Sequence, residues 1–205
     1  MKRIVYCIAA SVCLLACSKN EKKVIVYSKG VASIDKEAKT ITIAAGGTSQ
    51  EEQTLDYNTA DKLSFKIQSP AGNASVDVAE NGLFIINTKT DTIVGSYQVY
   101  GAPKGTAQVI TQDHIKKDID SLQQLLKGTN VNAANRNFFI PPNTAVKIAG
   151  NIQAYIVGPF HQMTSIEKEE GKEPEVYRFF TANEIRETIA KLQKLTVAEP
   201  APSQK

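Results

Sequence analysis

Nucleophilic and metal chemistry draws on histidine, cysteine or clustered carboxylates, and this chain spaces few of them usefully. It holds two histidines, His114 and His161, and three cysteines, Cys7, Cys13 and Cys17. A serine hydrolase needs a base beside its nucleophile, usually histidine. The stretch Gly47-Thr48-Ser49-Gln50-Glu51 lacks the second glycine of a Gly-x-Ser-x-Gly elbow. His114 falls in the first turn of an expected helix, near Asp113 and Lys116, where a solvated side chain is the expectation. His161 follows Gly158-Pro159-Phe160, a turn that would set it at a rim. Zinc wants three or four ligands at close spacing and calcium a dense oxygen loop, and neither pattern occurs. The glutamates at 167, 169, 170, 173 and 175 are interleaved with lysines and read as a solvated loop. Gly46-Gly47 lacks the lysine of a P-loop and reads as a hairpin turn. No catalytic residue, metal or cofactor is expected.

The least ordinary stretch runs from Asn130 to Asn137 and leads into Phe138-Phe139. It carries four amides and one guanidinium beside two aromatic rings. Amides hydrogen-bond and rings stack, which is how sugars and peptide backbones are recognised. The competing expectation is a loop of turn-formers whose two phenylalanines enter the core. Asn135, Arg136, Asn137 and His161 are therefore the candidate ligand contacts.

The N-terminus carries a different kind of signal. Met1-Lys2-Arg3 is a positive n-region, and twelve mainly apolar residues, Ile4 to Leu15, follow it. That run suits a secretory h-region and is too short to span a bilayer. It ends Leu14-Leu15-Ala16-Cys17, which resembles the lipobox of bacterial lipoproteins. The resemblance implies a diacylglycerol on the Cys17 sulfur, cleavage after Ala16 and acylation of the new amino group. Residues 1–16 would then be a signal peptide and 17–23 a polar tether. The acyl chains would hold the protein to the outer membrane, facing the periplasm. Cleavage would also remove Cys7 and Cys13, leaving no thiol free for a disulfide, a metal or catalysis.

Charge argues against nucleic acid. The chain has 24 basic and 21 acidic residues, and loss of Lys2 and Arg3 would lower the net charge from +3 to +1. Beyond the leader only Arg136, Arg178 and Arg186 supply guanidinium groups, and they are not clustered.

Candidate residues need a scaffold, and the hydropathy pattern supplies one. Val24 to Tyr27, Ile41/Ile43, Leu63/Phe65/Ile67, Val76/Val78, Leu83 to Ile86 and Thr92 to Tyr100 read as strands. Asn81-Gly82 predicts a two-residue hairpin turn, and Gly150-Asn151 a second one joining Val146/Ile148 to Ile152–Val157. Ile115, Ile119, Leu122 and Leu126 share one helix face, with Thr111 as N-cap and Gly128 at the end. Thr181-Ala182-Asn183-Glu184 is a capping box that opens a second helix, with Ile185, Ile189 and Leu192 inward. The expected fold is α+β and β-dominated: an antiparallel β-sandwich or meander with two amphipathic helices, 111–127 and 182–195. We expect one globular domain over 24–197, with a subdivision at 24–109 and 110–197 as the alternative, and a tail at 198–205. The expected function is a membrane-anchored, non-catalytic binding or structural module whose partner is a protein or glycan of the envelope. The alternatives are an envelope hydrolase using an Asp/Glu pair, or an assembly partner of an outer-membrane complex. Asp91-Thr92-Ile93 and Asp120-Ser121-Leu122 also resemble the Asp-Ser/Thr-apolar acceptor used for O-glycosylation in some envelope systems.

Overall fold

Two strands of this chain are apolar at consecutive rather than alternate positions, Val24–Tyr27 and Leu83–Ile86. A strand so patterned must be covered on both faces, and that requirement organises the molecule. The structure, a computed structural model, describes residues 20–98, 111–131, 134–158 and 173–197. In chain order these form β1 (Glu21–Lys29), β2 (Ala32–Asp35), β3 (Thr40–Ile43), β4 (Gln50–Asn58), β5 (Leu63–Ser69), β6 (Gly72–Val78), β7 (Gly82–Asn87) and β8 (Ile93–Gln98). They continue with α1 (Gln112–Lys127), β9 (Asn137–Ile140), β10 (Thr144–Ala149), β11 (Tyr155–Val157), β12 (Val176–Thr181) and α2 (Ala182–Val197).

The strands build three four-stranded sheets, none closed into a barrel. The middle sheet has the order β10-β7-β1-β4, with β1 and β7 parallel at its centre. Val24, Val26, Phe84 and Ile86 point to one side, against a hairpin sheet ordered β2-β3-β5-β6. Ile25, Tyr27, Leu83 and Ile85 point to the other, against a sheet ordered β11-β12-β8-β9. That last sheet buries its far face under α1 and α2 through Val94, Ile115, Ile119, Leu125, Ile185 and Ile189. The layering is thus sheet, sheet, sheet, helices. The fold is α+β and β-dominated, as the patterning implies.

Both helix ends follow their sequence signals. The Thr111 Oγ1 accepts the His114 N–H at 3.3 Å, and Gly128 closes α1 in the left-handed region at φ 66. At α2 the Thr181 N–H donates to Glu184 at 2.6 Å while the Glu184 N–H donates back to Thr181 Oγ1 at 3.2 Å. Ile185 and Ile189 are buried and Leu192 is half-buried, the face expected of them.

Strand partnering departs from expectation. Asn81-Gly82 does not turn a hairpin: β6 pairs with β5, and β7 pairs with β1 and β10. Gly150-Asn151 likewise joins two different sheets, since β11 pairs in parallel with β12. The arrangement is no simple antiparallel meander, because β1/β7, β3/β5 and β11/β12 are all parallel. Burial supplies the reason. β6 alternates buried and exposed residues and suits a sheet edge, whereas all six residues of β7 are buried and demand a central place. Gly82 is needed for a different purpose. At φ 131 its missing Cβ would sit 2.4 Å from the Ala149 carbonyl oxygen, so β10 crosses where only glycine fits. Strand β1 also begins earlier than the tether reading placed it. Lys22 is buried, with its ammonium donating to Thr59 O at 2.9 Å and Asn81 Oδ1 at 3.0 Å. The signal peptide, Cys17, His161 and the tail lie outside the described residues.

Candidate functional site

The register of the helix-covered sheet aligns side chains from three strands into rows. Directly opposed residues share a face, and Tyr97 of β8 lies opposite Tyr177 of β12. On the other flank of β8, Ser96 pairs with Asn137, and the Tyr97 N–H donates to the Arg136 carbonyl at 3.0 Å. Arg136, Tyr97 and Tyr177 thus form one row on the face turned toward the middle sheet. The guanidinium of Arg136 sits 4.6 Å from the Tyr97 ring centre, and Tyr97 meets Tyr177 edge-on at 5.6 Å. Glu175, two residues before Tyr177, accepts its phenol proton at 2.5 Å. Burial, and then the hydrogen bond to Glu175, push the Tyr177 phenol well above its ordinary range, so it remains a neutral donor.

This row opens onto a cleft of about 480 Å³ between the free edges of two sheets. Val146, Ile148 and Ala149 of β10 line one wall, and Phe138, Val131 and Tyr177 make an apolar floor. The polar groups at its rim are Arg136, Asn137, Glu175 and Lys147, the last ion-paired with Glu80. Arg136 adopts a left-handed backbone at φ 49. A side chain other than glycine pays about 1 kcal/mol for that conformation. Here the backbone bond to Tyr97 and the stacked ring hold it there.

The candidate contacts named from sequence divide sharply. Asn135 and Asn137 spend their amides within the loop, the exposed Asn135 donating to Asn130 Oδ1 at 2.5 Å and the half-buried Asn137 to the Asn130 carbonyl at 3.0 Å. Phe138 enters the core and Phe139 packs under α1. The loop-and-core expectation therefore accounts for most of this segment, and Arg136 is the residue it presents to solvent over a ring. Tyr97, Tyr177 and Glu175 complete the site, and sequence reasoning missed them. Tyr97 lies on β8, Tyr177 on β12 and Glu175 just before β12, and only the pairing register assembles the row.

No family model, characterised protein or solved structure matches the chain. Chemistry at this cleft therefore rests on its own residues. Among the described residues, no group of three or more His, Cys, Asp or Glu side chains converges as a metal ligand set. His114 is exposed at the start of α1. Hydrogen bonds from Lys62 at 2.8 Å and Ser64 at 2.7 Å hold Asp77 below the usual carboxylate range, and Lys147 does the same for Glu80. Of the two acceptor-like tripeptides, Thr92 is half-buried, and Ser121 lies within α1 with its hydroxyl donating to the Lys117 carbonyl at 2.8 Å.

Proposed function

We propose that this chain is an outer-membrane lipoprotein, anchored by acyl chains on Cys17, whose periplasm-facing body is a non-catalytic binding module for an envelope protein or glycan. The leader, ending in Leu14-Leu15-Ala16-Cys17, supports the anchor. One acyl chain gives only marginal membrane binding, and two or three make it effectively stable. The binding reading rests on one observation: an exposed guanidinium clamped on Tyr97 at the mouth of an apolar cleft. Aromatic faces and a fixed planar donor suit sugar rings and peptide planes alike.

The chain has seven tyrosines and no tryptophan, so its intrinsic emission is tyrosine emission. Disaccharide-peptide fragments of the cell wall, which carry both candidate chemistries, should quench that emission saturably. Arg136→Ala should weaken the titration about tenfold, the loss of one charged contact. An unchanged titration in Arg136→Ala would remove the cleft from the function.

A further inference from the structure

A second cavity lies on the opposite side of the middle sheet's strand ends. Because β1 and β7 run parallel, with Tyr27 beside Asn87, the chain leaves both strands at the same end. Strand β4 begins there too, with Gln50 opposite Lys29. Three segments therefore converge: Lys29-Gly30, Gly46-Gly47-Thr48 and Thr88-Lys89-Thr90. With Pro70 of the β5–β6 turn they enclose about 360 Å³.

The lining has a consistent chemistry. Gly47 approaches Gly30 so closely that its Cβ would stand 2.2 Å from the Gly30 Cα, which pins the glycine turn over the end of β1. Gly46, at φ 82, has nothing within 4 Å of the place its Cβ would occupy. Among the described residues, the N–H groups of Gly46, Thr48 and Thr90 donate to no backbone carbonyl outside the regular strands and helices, while Gly47 closes the turn at 45–46. Lys29, Thr48 and Thr90 are exposed, whereas Lys89 is 2% exposed and ion-paired with Asp91 at 3.2 Å. Asp91 and Glu184 balance the Lys89 charge from the α2 side, and Lys29 opposes it from the cavity side. Lys29 thus adds a second positive charge to the lining of the cavity.

We propose that this cavity is an oxyanion site, in which Lys29, the Thr48 and Thr90 hydroxyls and the Gly46 and Thr48 N–H groups bind a phosphate or sulfate group. Successive backbone N–H groups in a glycine turn form anion-binding concavities, and ammonium groups add charge-assisted bonds. Nine residues of β1 separate this cavity from the tether, roughly 26 Å at the rise of an extended strand. The cavity and the tether thus lie at opposite ends of β1, and we take the oxyanion to be that of a soluble molecule rather than a headgroup of the anchoring leaflet, an assignment that rests on the proposed anchor. This reading is independent of the Arg136 cleft.

The test uses the full chain in detergent micelles, titrated at fixed ionic strength with inorganic phosphate, inorganic sulfate, glucose 6-phosphate and phosphatidylglycerol vesicles. Amide shifts of Gly46, Gly47, Thr48 and Thr90 are the readout. The soluble probes should shift these amides saturably. Lys29→Ala should weaken binding about tenfold and Lys29→Arg should restore it. Linear, unsaturable shifts, equal responses in Lys29→Ala and wild type, or a response to vesicles but not to soluble probes would each overturn the proposal.

Discussion

Gly95 of β8 offers the sharpest test of the packing between the middle and helix-covered sheets. It lies opposite Phe138 on one flank and Phe179 on the other, and the two rings close over it with centroids 5.9 Å apart. A Cβ at this position would stand 2.3 Å from Phe179 Cδ1 and 2.6 Å from Cε1. Real carbon contacts do not close below about 3.4 Å, so one ring must move by roughly 1 Å. Phe179 is 1% exposed and has nowhere to go without displacing Phe138. Overpacking of this kind costs about 1–3 kcal/mol. For a chain of this size, each kcal/mol lowers the melting temperature by roughly 2–4 °C. Gly95→Ala should therefore melt about 2–12 °C below wild type, followed by far-ultraviolet circular dichroism. The double variant Gly95→Ala/Phe179→Leu should recover part of that loss, with a coupling of about 1 kcal/mol or more. The reasoning fails if Gly95→Ala melts with wild type, or if the two substitutions are additive.

Ile189→Ala should destabilise by about 2–5 kcal/mol in urea unfolding, through lost burial and a residual cavity under α2, while Glu187→Ala on the exposed face stays within about 0.5 kcal/mol. Alkali should unfold the protein through its tyrosines. Burial raises the phenols of Tyr27 and Tyr177 in the fold, so above pH 10 the unfolded chain loses protons that the native state keeps, and stability falls as pH rises. Below pH 10 that contribution is fully present, and Tyr27→Phe or Tyr177→Phe should flatten the alkaline slope by up to about 1.4 kcal/mol per pH unit each. Cys17→Ser should leave a precursor at unprocessed size. Recovery of that variant at mature size in the detergent phase would contradict the anchor.

Local signals in this sequence proved legible wherever one element decides the outcome alone. Thr111, Gly128 and the Thr181/Glu184 box mark helix ends because capping satisfies backbone groups within a single turn. The alternation in β5 exposes its one-sided burial for the same reason. Partner choice was not legible, because it depends on faces brought together from distant segments. Asn81-Gly82 carries the composition of a hairpin turn, yet Asn81 accepts from Lys22 and Gly82 makes room for β10. The site divides the same way. Composition singled out Arg136 within its amide-rich loop. Tyr97 and Tyr177 gained meaning only when the register of β8 set them in one row with it.

The parallel pair at the centre of the middle sheet also governs when the protein can fold. Strand β1 gains its antiparallel partner only when Gln50–Asn58 has followed, its parallel partner only with Gly82–Asn87, and the outermost strand of its sheet only with Thr144–Ala149. Pairings so distant in sequence form slowly, because loop closure must precede the contacts that reward it. If the chain is exported as the proposed lipoprotein reading implies, the sheet at its centre is completed only from the last third of the sequence. Connectivity alone would delay completion of that sheet until most of the chain has been synthesised.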